Sequence, residues 1–116
     1  MIHMYGISNC DTIKKARKWL QDNDVAYEFH DYKKQGVDVS QLQDWCDKVG
    51  WEVLLNKRGT TWRKLSDSDK EGIDTDKCMQ LLQANSSMIK RPVLVLDMGH
   101  VEVGFSMERY MELFKA

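Results

Sequence analysis

Hydrophobic and polar positions alternate and recur in a readable order along this chain. Ile2-His3-Met4-Tyr5-Gly6 is short, largely apolar and closed by glycine, which predicts a strand running into a turn near 2–6. Ile13, Ala16 and Leu20 then recur at helical spacing with lysines on the other face, predicting a helix near 11–22. Asn9 is the expected N-cap, Asp11 suits the first turn, and Asn23-Asp24 ends the helix. Val25, Tyr27 and Phe29 alternate with Ala26, Glu28 and His30, which predicts a second strand near 25–30.

The middle of the chain reads as helix. Leu42, Trp45, Cys46 and Val49 mark one helix stopped at Gly50, Trp51 to Leu55 a further short turn, and Asn56 to Lys64 a loop. Ser66-Asp67-Ser68-Asp69 reads as loop with cap chemistry. Asp74 or Thr75 opens a helix carrying Cys78, Leu81 and Leu82 that ends near Asn85. After the lone proline, Pro92, strands are expected near 93–97 and 101–104, joined at Met98-Gly99-His100. Ser106 caps a last helix near 106–115, with Met107, Tyr110, Met111 and Phe114 expected to face inward.

Strand, helix and strand within thirty residues form a βαβ unit, whose strands run parallel. A hairpin and a closing helix follow, so the four strands predict one mixed sheet with helices on its faces. This is an α/β fold of the thioredoxin type. It is read as a single domain over 1–116, carrying a helical insert at about 39–85. The proline standing immediately before the third strand occupies the place where that architecture uses a cis bond, so a cis Arg91–Pro92 bond is expected.

Composition narrows the function. With 116 residues, 42% of them hydrophobic, the chain has enough apolar surface for one ordinary core. A net charge of -1 gives no overall attraction to nucleic acid or to anionic membranes. The first residues lack the charged start and apolar run of a secretory signal, and no segment approaches the roughly 20 apolar residues of a membrane span. A cytoplasmic protein with free thiols is therefore expected, with no metal implied. Three cysteines spaced 36 and 32 residues apart match neither a disulfide framework nor a zinc motif. His3, His30 and His100 stand apart in the sequence and are read as structural or surface residues.

Cys10 is the residue on which chemistry converges. It lies before the apolar stripe of the first helix, at its opening, where unpaired backbone N–H groups and the positive end of the helix dipole favour a thiolate. Lys14 adds positive charge one turn on and Asp11 opposes it. Cys46 and Cys78 fall in line with leucines and a tryptophan and are read as core. Position 13 is Ile, so there is no C-x-x-C pair, and a resolving thiol must come from elsewhere. Arg91 faces the start of the first helix if the fold is as expected, where its guanidinium can bind an anion through two parallel bonds. Arg58, Arg63 and their neighbours form a small basic loop without an accompanying nucleic-acid motif.

The segments Tyr5-Gly6-Ile7-Ser8-Asn9-Cys10-Asp11-Thr12-Ile13-Lys14-Lys15-Ala16, His30-Asp31-Tyr32, Leu54 through Leu65, Ile89-Lys90-Arg91-Pro92 and Gly104-Phe105-Ser106 together resemble the arsenate reductase-like family of glutaredoxin-related proteins. That family includes ArsC, Spx and the YffB branch, and the segments look most like YffB. The resemblance spans nearly the whole chain and implies a thioredoxin-like fold with a helical insert.

In the arsenate reductases of this family a helix-start cysteine attacks arsenate, arginines hold the oxyanion, and glutathione and glutaredoxin complete the reduction. Cys10 and Arg91 match the nucleophile and one arginine. Asn56 stands where another arginine is expected, with Arg58 two residues on, and Gly104-Phe105 occupies the region of a third. The resemblance thus implies a glutathione-dependent thiol or oxyanion reductase that is poor on arsenate. Cys10 is its nucleophile, Asn9 and Thr12 shape the thiolate pocket, and Arg91, with Arg58 as a further candidate, binds the anionic substrate or glutathione. No cofactor is expected to be bound; glutathione is the electron donor and glutaredoxin a further partner. The alternative is a non-enzymatic regulator like Spx that docks on RNA polymerase or another protein, although Cys10 with Ile13 cannot form the C-x-x-C switch typical of Spx.

Overall fold

Asp24 adopts a left-handed backbone, φ 57°, directly after the first helix, and the N–H of Val25 turns back to the carbonyl of Leu20 (2.9 Å). This closure consumes Val25 and Ala26, so the second strand begins at Tyr27 rather than at 25. The computed structural model describes residues 2–114, the side chain of Met98 excepted. The end of the last expected helix, at 115, lies outside the described residues. The described chain groups into two units, one made of the segments before Tyr32 and after Lys90, the other Tyr32–Lys90.

The first unit holds strand β1 (Ile2–Gly6), helix α1 (Asp11–Asp22) and strand β2 (Tyr27–Asp31). After the intervening unit come β3 (Val93–Val95) and β4 (Val101–Val103), and then the last helix, Met107–Leu113. The four strands form one sheet in the order β2-β1-β3-β4. β1 pairs in parallel with β2 and antiparallel with β3, and β3 pairs antiparallel with β4. This is the mixed sheet expected from the element order. β3 stops at Val95, two residues early, because the N–H of Leu96 bonds to the carbonyl of His100 (2.7 Å) and closes the hairpin.

Met4, Ile13, Ala16, Leu20, Leu94 and Tyr110 form the buried core of this unit. Alternation along a strand sends neighbours to opposite faces, so Met4 packs against α1 while His3 and Tyr5 lie on the other face. Trp19 and Phe105 both meet the Tyr110 ring edge-on, at 5.5 Å and 4.7 Å. Tyr110 therefore fixes the rotation of the last helix, and Leu113 and Phe114 complete its packed face. Met107 and Met111, expected inside, are instead 61% and 60% exposed.

The Tyr32–Lys90 unit contains helices α2 (Tyr32–Gln35), α3 (Val39–Val49), α4 (Trp51–Leu54), α5 (Thr60–Lys64), α6 (Asp67–Lys70) and α7 (Thr75–Ala84); the last helix of the chain is accordingly α8. Asp38, Ser66 and Asp74 cap α3, α6 and α7 through their side chains. Helices α5 and α6 occupy stretches read as loop, each being a single turn and so too short to display a helical period. Trp62 on α5 lies under two lysine ammonium groups, Lys57 and Lys70, each 5.6 Å from its ring centre. Cys46 and Cys78 are buried as expected, beside Leu42, Trp45 and Leu82. An isolated antiparallel bridge between Leu55 and Ile89 ties the residue after α4 to the end of this unit.

The histidines do not all stand apart. The β1–β2 register sets His3 opposite Glu28 and Tyr5 opposite His30, and His3 Nδ1 comes within 2.9 Å of His30 Nε2. Residues 27 positions apart thus become neighbours through strand pairing. His100 pairs separately with Glu102 (2.8 Å), which also receives Arg109. No helix among the described residues is long and apolar enough to cross a membrane.

Candidate active site

Cys10 is the N-cap of α1. Its backbone is extended (φ -135°, ψ 129°), and its carbonyl accepts the first helical bond from the N–H of Lys14 (2.9 Å). The expectation that Asn9 caps the helix is corrected: Asn9 is the exposed residue before the cap. The helix can start this close to the strand because Gly6 has no side chain; a Cβ there would overlap the buried Ile13 side chain of the first turn.

The loop between Gly6 and Cys10 is held from the end of β2. Asp31, itself buried, accepts hydrogen bonds from the backbone N–H of Ser8 (3.2 Å) and from its hydroxyl (2.8 Å). Neither residue stands out in the sequence as part of the site. The signal that could have found Asp31 is an acidic residue ending a half-buried strand, where an unpaired carboxylate would be costly.

The Cys10 thiol is half-buried, and that burial on its own raises its pKa. The opposing groups win. The N–H of Ile13, the Arg91 guanidinium (through a hydrogen bond and its charge) and the N–H of Thr12 together bring the thiol below its ordinary value of 9.0. No standard capping bond runs from the Cys10 side chain, yet these N–H groups face its sulfur as helix-start donors do. Thr12 thus contributes through its backbone, while its side chain is exposed. Lys14, expected to add positive charge, is exposed on the next turn and is not among the groups that act on the thiol.

The Arg91–Pro92 bond is cis, as expected, and Pro92 leads directly into β3, which pairs with β1. The Pro92 carbonyl accepts from the N–H of Gly104 (2.9 Å), which fixes the end of β4 and the start of the Phe105 segment. Arg58 belongs to the Tyr32–Lys90 unit. Its N–H donates to Asn56 Oδ1 (3.0 Å), and with Leu55, Asn56, Lys57 and Lys90 it lines a shallow depression there.

The other two thiols are held in the opposite sense. Burial raises the Cys46 pKa, with Asp47 and Glu52 adding to it. Burial, with lesser contributions from Cys46 and Glu52, pushes Cys78 up to about 11 against the small opposing effect of Lys57. Cys10 alone combines access with a stabilised anion, the condition for a nucleophilic thiol.

Known proteins share this fold. Over 97% of both chains, the structure superposes on that of the YffB protein with a TM-score of 0.91 and 47% identity. An arsenate reductase (ArsC) related protein from Brucella melitensis is also 47% identical, with a TM-score of 0.79, covering 99% of this chain and 95% of its own. The global transcriptional regulator Spx of Streptococcus agalactiae is 28% identical over 108 residues, 91% of this chain and 77% of that one. The model of the ArsC family matches residues 5–113, taking in Cys10, Asp31 and Arg91 together, and the chain belongs to that family.

Proposed function

We propose that the protein is a glutathione-linked thiol or oxyanion reductase with Cys10 as its nucleophile. The observation that carries this reading is the contrast among the three thiols: one stabilised as an anion beside Arg91, two buried and held protonated. In the simplest cycle the Cys10 thiolate attacks the glutathione sulfur of a mixed disulfide. A Cys10–glutathione disulfide forms as the substrate's sulfur leaves as a thiolate. A second glutathione thiolate then attacks that disulfide, releasing oxidised glutathione and the Cys10 thiolate. Arg91 binds a glutathione carboxylate or an oxyanion, with the Asn9-to-Thr12 turn shaping the pocket and Arg58 a further anion-binding candidate. Glutaredoxin serves as an additional reductant, and the reducing cytoplasm keeps Cys10 available.

Arsenate is a poor substrate in this reading. Charge-assisted bonds contribute about 1.5–3 kcal/mol each, and Asn56 and Phe105 stand in the regions of two arginines. The test is steady-state turnover of a glutathione mixed disulfide and of arsenate, each with glutathione and glutaredoxin. Turnover of the disulfide that is lost in Cys10→Ser supports the reading, and efficient arsenate reduction would return the protein to the arsenate reductases proper.

The similarity to Spx favours a second reading, a regulator that docks on RNA polymerase through the helical unit. Stoichiometric binding to polymerase with no turnover of either substrate would put that reading first.

A further inference from the structure

We propose that His3, Glu28 and His30 form a binding site for a divalent transition cation of the zinc class, on the sheet face opposite the α1 core. Strand geometry builds the site. His3 and Tyr5 share one face of β1, Glu28 and His30 share the same face of β2, and the parallel register sets His3 beside Glu28 and His30 beside Tyr5. The resulting ligand atoms all lie within 4.8 Å of one another. His3 Nδ1 stands 2.9 Å from His30 Nε2 and 3.9 Å from Glu28 Oε2. Tetrahedral zinc with bonds of about 2.0–2.2 Å needs its ligand atoms roughly 3.3–3.5 Å apart, and the two distances from His3 fall on either side of that value. Among the described residues this is the one group of three histidine, cysteine or acidic side chains that converges in this way.

The donor set selects the ion. Two imidazoles with one carboxylate suit zinc, cobalt, nickel or copper, whereas magnesium and calcium require oxygen donors. Three protein ligands leave a fourth position for water. The His30 ring is braced by Tyr5, stacked on it at 4.6 Å with 16° between the planes, so one ligand is already oriented. Entry is open, because the side chains of His3 and Glu28 are 32% and 60% exposed. The rival account of the 2.9 Å contact is a hydrogen bond between two neutral imidazoles, which requires no cation.

The experiment is calorimetric titration of the full chain with zinc, in the wild type and in Cys10→Ser, since a thiolate is the competing zinc ligand. One equivalent is expected to bind in both. His30→Ala should weaken binding by more than the roughly 10–100-fold cost of losing an outer-shell partner, and Glu28→Gln by at least about tenfold. Circular dichroism checks that each variant is folded, and Glu28→Gln, at an exposed side chain, decides if His30→Ala is not. Cobalt supplies an independent reading: the visible bands of a tetrahedral site without a sulfur charge-transfer band. Binding that survives both substitutions in folded protein, that disappears with Cys10→Ser, or that never saturates would overturn the proposal.

Discussion

The Asp31 carboxylate grips Ser8 twice, through its backbone N–H and through its hydroxyl, and so anchors the end of β2 to the loop that delivers Cys10. Two residues distant in sequence thus bear on the Cys10 thiol, Asp31 through the loop that leads to it and Arg91 through its guanidinium. Ser8→Ala removes one donor from a buried carboxylate and should cost about 1–3 kcal/mol in urea denaturation. It should also slow alkylation of Cys10, because a looser loop holds the sulfur less firmly against the helix-start N–H groups. Unchanged stability would show that Asp31 is satisfied without the hydroxyl.

Alkylation rate against pH, measured thiol by thiol, should show Cys10 titrating below 9.0 and the two buried cysteines above it. Arg91→Ala should slow Cys10 at neutral pH by roughly threefold to tenfold, since one pKa unit is a tenfold change in the thiolate ratio. Arg91→Lys should recover part of that, keeping the charge and losing the fork. A folded pKa below the unfolded one means that the unfolded chain holds more protons between the two values. The contribution of Cys10 is therefore complete above the unfolded value and is lost as pH falls through the folded one. Cys10→Ser should remove that component from the pH dependence of unfolding, leaving the opposite drift from Cys46 and Cys78 at alkaline pH.

How much of this was legible in the sequence depended on how local each feature is. Ile13, Ala16 and Leu20 announce α1 by their spacing, and Cys10 betrays itself by standing just ahead of that stripe. Pro92 marks the start of β3 because proline is otherwise absent. The Ser8–Asp31 and His3–His30 contacts join residues 23 and 27 positions apart, and only the parallel register of β1 and β2 creates them. Periodicity places the residues of α8 on faces but does not decide which face turns inward. The bulk of Tyr110 decides that, leaving Met107 and Met111 outside. Helices α5 and α6 escape because one turn carries no period.

Tyr110 also carries a defect. Its ring is fully buried, and its hydroxyl has no hydrogen-bond partner among the described residues. Burial, with a lesser contribution from Glu102, raises the phenol pKa well above its usual range, so the group stays protonated and unsatisfied. An unsatisfied buried polar group costs about 1–3 kcal/mol, and phenylalanine keeps the ring contacts with Trp19 and Phe105. Tyr110→Phe should therefore leave stability unchanged or raise it by about 1 kcal/mol, read from the denaturation midpoint. A loss of 1 kcal/mol or more would reveal a partner for the hydroxyl.

An internal disulfide from Cys10 requires a second thiol that can ionise. Position 13 is Ile, and burial holds Cys46 and Cys78 protonated, the latter with a pKa of about 11. The attacking species in exchange is the thiolate, so Cys10 should react first and alone. After treatment with oxidised glutathione, intact mass spectrometry should find one glutathione per chain, and peptide mapping should place it on Cys10. Arg91→Ala should lower the yield of the adduct without unfolding the chain, because Arg91 is only half-buried and the strand pairing of β3 is made by backbone. In Cys10→Ser no adduct should form, since neither buried sulfur offers a thiolate at neutral pH. A Cys10–Cys46 or Cys10–Cys78 disulfide forming ahead of the adduct would mean that the Tyr32–Lys90 unit opens to expose its thiols. The chain would then be a self-contained redox switch, and regulation rather than catalysis would be its function.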